Sequence, residues 1–295
     1  MHRRALLSFA LAAGAGLFAL GWASAAPAQT QEIRFGLIPS EDADKLIADS
    51  RPFIEALEKS IGVKIKPFVA IDYSAVIEAI KSDKLEIAFL GPNAYVLAKD
   101  KVKASVEPVG RGVMEQTGKS SYKALIIAHP ARPIANLADL KGKTFALVDP
   151  ASTSGNLVPR YVFEQNKINP EKDFKSLYYS GTHQASLIAV KEGKVDAAAI
   201  ADEVYDLAIS RGQLKQSDVK IIHTSDPIPG SPFVVRTNLP KDLQEKLKKG
   251  LLALNNVRFG KLGVVTKMDP ATDKDYDVIR GLIAFQDKLK KEAKK

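Results

Sequence analysis

The feature of this chain that most constrains its fold is an internal repeat at a constant offset of 110 residues. With that offset, residues 73–98 align with residues 183–208 without a gap. Two similar βαβ units in one chain predict a protein of two lobes with a cleft between them. The alternative is that any two βαβ units share Ala and Lys at helical positions. The identities that favour the repeat are Ala75/Ala185, Ala79/Ala189, Lys81/Lys191, Lys84/Lys194, Ala88/Ala198, Tyr95/Tyr205, Leu97/Leu207 and Ala98/Ala208.

Apolar runs and amphipathic runs alternate on both sides of this repeat. The first half carries strand patterns at 33–38, 63–69 and 85–90, with helical patterns at 53–61 and 75–80. The second half repeats the order, with strands at 145–148, 176–179 and 195–200 and helices at 156–166 and 184–190. This β-α-β-α-β order predicts an α/β fold with parallel or mixed sheets flanked by helices.

The connections between the halves indicate how the lobes are joined. Extended patterns at 107–114 and 122–128 flank a polar stretch, and a second pair at 221–224 and 233–236 flanks a Pro-rich one. If the chain crosses from the first lobe to the second and later crosses back, the second lobe is an insertion in the first. We therefore predict lobe 1 from residues 29–116 and 230–295 and lobe 2 from residues 117–229. Helical patterns at 239–256 and 276–291 should pack back on lobe 1, with the Lys-rich end as a solvated helix face.

The N-terminus has the three parts of a secretory signal peptide. Arg3 and Arg4 precede a charge-free, Ala- and Leu-rich stretch over residues 5–31, which contains small residues at the expected cleavage site. Its strongly apolar part is shorter than the ~20 residues that a membrane span needs. We predict a cleaved signal peptide over residues 1–28 and an exported, periplasmic protein. The chain has no Cys, which excludes a lipid anchor, disulfides, thiolate catalysis and Cys-ligated metal sites.

Composition excludes several classes of protein but does not choose a ligand. The chain is 45% hydrophobic, which argues against a disordered chain and a collagen-like fibre. Its 43 Lys and Arg residues outnumber its 34 Asp and Glu residues, partly because of the two chain ends. The body is only mildly cationic, and such a field suits a small anion as well as a polyanion. No nucleic-acid partner is predicted.

A run of hydroxyl residues is the sharpest local motif. Ser152, Thr153 and Ser154 precede Gly155 between a predicted strand and a predicted helix. One of these side chains is expected simply to cap the helix. Three hydroxyls at a helix start can also donate, with backbone amides, to one anion. The sequence therefore predicts an anion-binding loop.

Other candidate residues stand at the carboxyl ends of predicted strands, where open α/β sheets bind ligands. His183 can donate to an oxyanion, and more strongly as a cation. Tyr73 occupies the equivalent position of the other repeat, and Tyr95 follows the strand at 85–90. Asp202, next to Glu203, favours a ligand with its own P–OH or N–H donor, because an ionised carboxylate only accepts hydrogen bonds. The histidines lack metal-binding spacing, so neither a metal nor a cofactor is predicted.

Several segments together resemble a known family, the phosphate/phosphite/phosphonate ABC-transporter binding proteins (PhnD-like). The resemblance covers about residues 33–236, and the Ser-Thr-Ser-Gly loop followed by Gly-x-His is its most specific part. At Gln184 and Ala201 the chain departs from the family's common pattern. The segments that carry the resemblance are 36–42 (GLIPSED), 90–98 (LGPNAYVLA), 149–155 (DPASTSG), 181–183 (GTH) and 194–198 (KVDAA).

The resemblance implies a two-lobed periplasmic binding protein (type II) with two hinge crossings. Such a protein would capture a phosphonate, phosphite or phosphate between its lobes and deliver it to an inner-membrane ABC permease with its ATPase. It would be a monomer and not an enzyme. The residues implied to hold the phosphorus oxygens are Ser152, Thr153, Ser154, His183 and Tyr95, with Tyr73 and Asp202 completing the pocket.

Three other functions remain open at the level of sequence. The same fold can bind another organic anion, such as a sulfonate or a carboxylate. It can also serve as the ligand-sensing subunit of a membrane receptor. A hydrolase built on Ser152 and His183 would need a group that orients the base and a metal or Arg clamp, for which the sequence offers no clear candidate.

Overall fold

The computed structural model of the protein describes residues 32–292, apart from the side chain of residue 290. The predicted signal peptide, residues 1–28, lies outside the described residues. Within residues 32–292, no helix combines the length and the apolar character that crossing a membrane requires.

The first four strands of the chain belong to one sheet, the next five form a second sheet, and the last three complete the first. Its opening part contains β1 (Ile33–Leu37), α1 (Ala43–Ile61), β2 (Ile65–Val69), α2 (Tyr73–Lys81), β3 (Ile87–Phe89), α3 (Pro92–Val96), a π-helical turn (Leu97–Lys101) and β4 (Val106–Met114). The middle part contains β5 (Ala124–Ala128), β6 (Thr144–Leu147), a second π-helical turn (Thr153–Leu157), α4 (Val158–Gln165), α5 (Pro170–Asp173), β7 (Ser176–Tyr179), α6 (His183–Lys191), β8 (Ala197–Ala201), α7 (Asp202–Ser210) and β9 (Lys220–Thr224). The closing part contains β10 (Pro232–Arg236), α8 (Lys241–Leu252), β11 (Val257–Phe259), β12 (Gly263–Pro270) and α9 (Asp277–Glu292).

Two mixed sheets form the centres of two lobes. The larger sheet has the strand order β11-β12-β4-β10-β3-β1-β2, and the smaller has the order β7-β6-β8-β5-β9. In the larger sheet β1, β2 and β3 are parallel, and the other pairs are antiparallel. In the smaller sheet β6, β7 and β8 are parallel, whereas β5 and β9 pair antiparallel. Each lobe thus has a parallel βαβ centre extended by antiparallel strands.

The internal repeat is confirmed at the level of elements. The orders β3-β1-β2 and β8-β6-β7 are equivalent in the two sheets. Helices α2 and α6 begin and end 110 residues apart, at 73 and 183 and at 81 and 191. Both helices are capped in the same way, by Asp72 accepting from the Ala75 amide at 2.7 Å and by Thr182 accepting from the Ala185 amide at 2.9 Å. A polar cap before each helix fixes its first residue.

Each lobe has its own aromatic core. In the larger lobe the rings in contact have centroids 4.6–6.4 Å apart. In the smaller lobe the centroids lie 5.2–5.3 Å apart. The two groups of rings are separate, and one larger buried cluster of apolar side chains includes residues of both lobes. The rings involved are Phe35, Phe53, Phe89, Phe233 and Phe259 in the first, and Phe145, Phe163 and Phe174 in the second.

Two crossing segments join the lobes, between β4 and β5 and between β9 and β10. They touch through an antiparallel bridge, in which the Tyr122 amide donates to the Ile228 carbonyl at 3.1 Å and the Ile228 amide donates back at 2.7 Å. A Cβ at Gly230 would overlap the carbonyl oxygen of Ser120. Glycine is therefore required where the two crossings pass each other.

One sequence prediction fails in the C-terminal part. The helical pattern at 239–256 becomes α8 (Lys241–Leu252), and the strands β11 and β12 that follow were not predicted. Strand β11 has three residues, and β12 is defined by pairing with β4, about 150 positions earlier. The helix predicted at 276–291 is observed as α9.

Candidate functional site

The hydroxyl run forms the π-helical turn that leads into α4. The Ser152 side chain caps this turn by accepting from the Gly155 amide at 3.0 Å. A Cβ at Gly155 would overlap the Val148 side chain, so glycine lets the loop lie against the end of β6. The amides of Thr153 and Ser154 stand in the first turn, where backbone N–H groups lack a partner within the helix. All three hydroxyl residues are buried, at 1–2% exposed.

This loop of the smaller lobe is contacted directly by the larger lobe. The Asn93 amide, at the start of α3, donates to Thr153 Oγ1 at 2.8 Å. The Tyr73 amide, at the start of α2, lies 3.4 Å from Asp149 Oδ2. The Tyr73 phenol also neighbours the Ser152 hydroxyl. The loop therefore lies in the cleft, at the contact between the lobes.

His183 is held as a neutral donor. Its Nδ1 accepts a hydrogen bond from the Ala201 amide at 3.1 Å, which leaves the proton of a neutral imidazole on Nε2. Burial, with a smaller effect from the Lys261 ammonium, lowers the pKa of His183 to about 3. The imidazolium considered from the sequence is thus disfavoured, because charging a buried ring is costly.

Two tyrosines contribute phenols to the same region. Burial raises the pKa of Tyr73 well above its usual value, and Asp149 adds to the rise. Burial likewise raises the pKa of Tyr122, and the neighbouring hydroxyls of Thr153 and Ser154 partly offset the rise. Both phenols therefore stay protonated and can donate. Sequence reasoning missed Tyr122, since its only local signal was a place at the edge of a crossing segment.

The expectation for Tyr95 is corrected by the structure. Its hydroxyl donates to Asp273 Oδ1 at 2.5 Å, and its ring packs edge-on against Tyr276 with centroids 4.9 Å apart. Arg280 Nη2 donates to the same Asp273 oxygen at 2.7 Å. Tyr95 therefore joins α3 to the segment before α9 within the larger lobe, and its hydroxyl does not join the hydroxyl loop.

The two carboxylates that begin α7 have different surroundings. Asp202 is partly buried and accepts from the Glu203 amide at 2.8 Å. Burial raises the pKa of Asp202, while several hydrogen bonds and Lys261 oppose the rise. Glu203 is buried and forms an ion pair with Lys261 of the opposite lobe. The sequence placed Glu203 beside Asp202 in the same loop but assigned the acceptor role to Asp202 alone. Lys261 was not predicted, because the turn that carries it lies between the two unpredicted strands.

Eight of these residues form one polar cluster in the cleft. Its members supply neutral O–H and N–H donors, together with one internally neutralised ion pair. Such donors suit an oxyanion with several acceptor oxygens. Among residues 32–292, no group of three or more acidic, His or Cys side chains is arranged to hold a metal ion. The polar cluster consists of Tyr73, Tyr122, Ser152, Thr153, Ser154, His183, Glu203 and Lys261.

Known relatives match this chain over most of its length. Its sequence is 32% identical over 252 residues to the phosphonates-binding periplasmic protein of Escherichia coli, covering 84% of this chain and 73% of that protein. It is 31% identical over 271 residues to the phosphate-import protein PhnD of Mycolicibacterium smegmatis, covering 85% of this chain and 84% of the relative.

A solved structure and a family model agree with these sequence matches. The crystal structure of a binding-protein component of an ABC phosphonate transporter from Pseudomonas aeruginosa superimposes with a TM-score of 0.77 at 30% identity, covering 88% of this chain and 87% of that one. The two-lobed fold expected from the sequence, of the type II periplasmic binding proteins, is thereby confirmed. The family model described as "ABC transporter, phosphonate, periplasmic substrate-binding protein" matches residues 35–276. The chain therefore belongs to the family of periplasmic substrate-binding proteins of phosphonate ABC transporters.

Proposed function

We propose that this protein captures a small phosphorus oxyanion, a phosphonate, phosphite or phosphate, in the cleft between its lobes. The observation that carries the proposal is the convergence of neutral donors from both lobes on the Ser152–Ser154 loop. The relatives support the ligand class, since one is named for phosphonates and another for phosphate. Their names differ, so the choice among the three oxyanions rests with the pocket of this chain.

The donor set is sufficient for useful affinity. A micromolar complex needs about 8 kcal/mol of net binding free energy. Hydrogen bonds to a charged ligand contribute roughly 1.5–3 kcal/mol each. The three hydroxyls of the loop, His183 Nε2 and the Tyr73 phenol make five donors, worth about 7–15 kcal/mol before desolvation and closure costs. Uncharged donors also select a tetrahedral oxyanion by geometry more than by net charge.

Asp202 remains a candidate acceptor for a protonated oxyanion. A carboxylate only accepts hydrogen bonds, so it favours a ligand that carries a P–OH group. Sulfate has no proton near neutral pH and should be rejected. We expect Asp202→Asn to weaken that rejection, measured by calorimetry with sulfate against phosphate. Equal sulfate binding before and after the substitution would remove Asp202 from this role.

The function proposed here is binding without turnover. A Ser–His hydrolase needs an imidazole nitrogen that takes the serine proton while the other nitrogen donates to an orienting carboxylate. In this chain His183 Nδ1 accepts from the Ala201 amide, so Nε2 carries the proton and cannot accept another from Ser152. The hydroxyl loop is accordingly a binding element in our proposal.

The decisive test is calorimetry on the mature protein with phosphite, methylphosphonate, phosphate and sulfate. We expect at least one phosphorus ligand to bind at micromolar concentration or below. Ser152→Ala and His183→Ala should each weaken that ligand at least about tenfold, the loss of one hydrogen bond to a charged group. The absence of binding to every phosphorus ligand would defeat the proposal.

A matched pair of tyrosine variants tests the composition of the site. Tyr73→Phe removes a phenol of the polar cluster and should weaken binding. Tyr95→Phe removes a phenol that donates to Asp273 and should leave the dissociation constant unchanged while lowering the melting temperature. The reverse pattern would return Tyr95 to the site and exclude Tyr73.

Three further parts of the proposal concern the protein's surroundings. Residues 1–28 are cleaved on export to the periplasm, which the mass of the protein from a periplasmic extract would test. The monomer, with lobes at 29–116 plus 230–295 and at 117–229, delivers its ligand to an inner-membrane permease and its ATPase. Genes for these two subunits beside the coding gene would support transport, whereas a receptor kinase gene would indicate sensing.

A further inference from the structure

Lys261 is a buried cation inside the cleft of a protein that takes anions. It lies on the 3-10 turn Gly260–Leu262, between β11 and β12 of the larger lobe. Gly260 has a φ of 41° and Gly263 a φ of 66°, so two left-handed residues bracket the lysine in a tight turn. The Lys261 residue is only 5% exposed. Burial of a lysine to this degree is rare unless its charge is paired.

The partner of Lys261 comes from the opposite lobe. Its ammonium forms an ion pair with Glu203 Oε2 on α7, and Glu203 is 3% exposed. Because each partner belongs to a different lobe, opening the cleft would separate the pair. The ion pair as a whole is neutral, so it adds no net charge to the polar cluster.

The ammonium also lies against the aromatic wall of the site. Lys261 Nζ is 4.9 Å from the centroid of the Tyr122 ring, within the range of a cation–π contact. The other end of Tyr122, its phenol, neighbours the hydroxyls of Thr153 and Ser154. One tyrosine thus separates the anion loop from the cation. With an oxyanion bound at the loop, the Lys261 ammonium would lie one side chain away from the negative charge. A zwitterionic ligand would place its own two charges in the same way.

A carboxylate beside an anion-binding loop normally suits a ligand that also has a positively charged group. Glu203 has that character, but its charge is already neutralised by the protein. A second ammonium brought in by an aminoalkylphosphonate would have to compete with Lys261 for Glu203 or rely on the neighbouring Asp202, which the Lys261 ammonium already faces. Either position brings two cations close together in a buried site, which is strongly unfavourable.

We propose that Lys261 takes the place of a ligand ammonium, so that the site accepts compact phosphorus oxyanions and rejects aminoalkylphosphonates. Lys261 and Glu203 are then specificity-determining residues, and Tyr122 is the spacer between the cation and the oxyanion. The inference rests on the proposed function above, because it concerns the same cleft. It narrows the ligand to phosphite, phosphate or methylphosphonate, none of which has a cationic arm.

The test compares methylphosphonate with 2-aminoethylphosphonate by calorimetry, since the two ligands differ in the aminomethyl arm. We expect the wild-type protein to bind methylphosphonate at least about tenfold more tightly, a difference of about 1.4 kcal/mol. Lys261→Met keeps most of the length of the side chain but removes its charge and frees Glu203. The ratio of the two dissociation constants should then shift toward 2-aminoethylphosphonate by at least about tenfold.

Two variants control for charge and for packing. The double variant Lys261→Met/Glu203→Gln lacks both charges of the ion pair and should lose the gain for 2-aminoethylphosphonate, because the carboxylate that Lys261→Met sets free is then absent. Lys123→Met removes an exposed cation near Asp202 and should leave the ratio unchanged. If Lys261→Met does not fold, Lys261→Gln provides the same neutralisation with a polar end group.

The outcomes separate this inference from the proposed function. No binding of any phosphorus ligand by the wild-type protein defeats both. Binding of methylphosphonate with equal or tighter binding of 2-aminoethylphosphonate overturns the inference alone, as does an unchanged ratio in Lys261→Met. Loss of methylphosphonate binding by more than about a hundredfold in that variant would assign Lys261 to direct contact with the oxyanion and also overturn it.

Discussion

At the scale of single residues, the most informative group is the imidazole of His183. Its Nδ1 is occupied by the Ala201 amide, and burial lowers its pKa to about 3. The backbone of β8 therefore fixes both the tautomer and the charge of a side chain on α6. An uncharged Nε2–H donor keeps the same form over the whole physiological pH range, so any pH dependence of binding near neutrality should come from the ligand.

The depressed pKa of His183 predicts an acid sensitivity of folding. In the unfolded chain the imidazole titrates near 6.5, so between that pH and about 3 the unfolded state binds more protons than the folded state. Stability is therefore lost as the pH falls through 6.5. We expect His183 alone to remove about 2 kcal/mol of unfolding free energy between about pH 7 and pH 5. His183→Asn keeps an acceptor for the Ala201 amide but has no titrating ring. In urea unfolding, this variant should lose about 2 kcal/mol less unfolding free energy than the wild type between about pH 7 and pH 5. An equal loss in both proteins would mean that His183 is charged when folded.

Residues of the candidate site were predictable where their signal is local. Ser152, Thr153 and Ser154 follow a strand and precede a helix, and that order by itself brings them to a strand end. Tyr95 has the same kind of position, yet its hydroxyl turns to Asp273, nearly 180 positions later in the chain. Tyr122 and Lys261 reach the cleft from segments far apart in sequence. No local pattern distinguishes them from core or surface residues, because only the packing of the lobes brings them together.

At the scale of elements, the parallel βαβ units were predictable and the antiparallel additions were not. In the βαβ units, apolar strands alternate with amphipathic helices, and the second unit follows the first at an offset of 110 residues. Strand β11 has three residues, and β12 follows β11 through a turn with two positive-φ glycines. Such a hairpin at the edge of a sheet is specified by its pairing with β4, which sequence periodicity does not record.

The contact between the two crossing segments gives a prediction at this scale. In Gly230→Ala the new methyl group would overlap the Ser120 carbonyl oxygen, so the crossings must move apart. We expect a loss of about 1–3 kcal/mol of stability, the usual effect of overpacking a tight contact. Gly281→Ala is the matched control, because its Cβ meets nothing within 4 Å on α9 and should stabilise the helix by about 0.5–1 kcal/mol. Thermal unfolding of both variants measures this, and a Gly230→Ala protein as stable as the wild type would contradict the geometry.

At the scale of the whole molecule, the lobes are also joined by contacts that are distinct from the proposed ligand donors. Arg211, at the end of α7, lies 2.8 Å from Asp49 Oδ2 and 3.7 Å from Glu41 Oε2 of the larger lobe. The Asp42 amide donates to Gln184 Oε1 across the same boundary at 3.1 Å. Because these contacts join the two lobes, opening the cleft would break them. Their free energy therefore adds to the apparent affinity for a ligand that binds the closed form.

The last prediction separates closure from recognition. Arg211→Gln removes interlobe ion pairs but no donor of the polar cluster, so it should weaken every bound oxyanion by the same factor. Partly exposed ion pairs are worth up to about 1 kcal/mol each, and we expect the dissociation constant to rise roughly two- to tenfold. The effect should shrink in high salt, which screens such charges.

Arg132→Gln is the control for this prediction, because Arg132 pairs with Asp196 at 2.9 Å within the smaller lobe. Calorimetry should show no change in affinity for this variant, since breaking an ion pair within one lobe affects the open and closed forms equally. A change in the ratio between ligands in Arg211→Gln would place the arginine in recognition. An unchanged affinity would mean that the interlobe pairs contribute nothing to closure, and that the ligand and the polar cluster alone hold the lobes together.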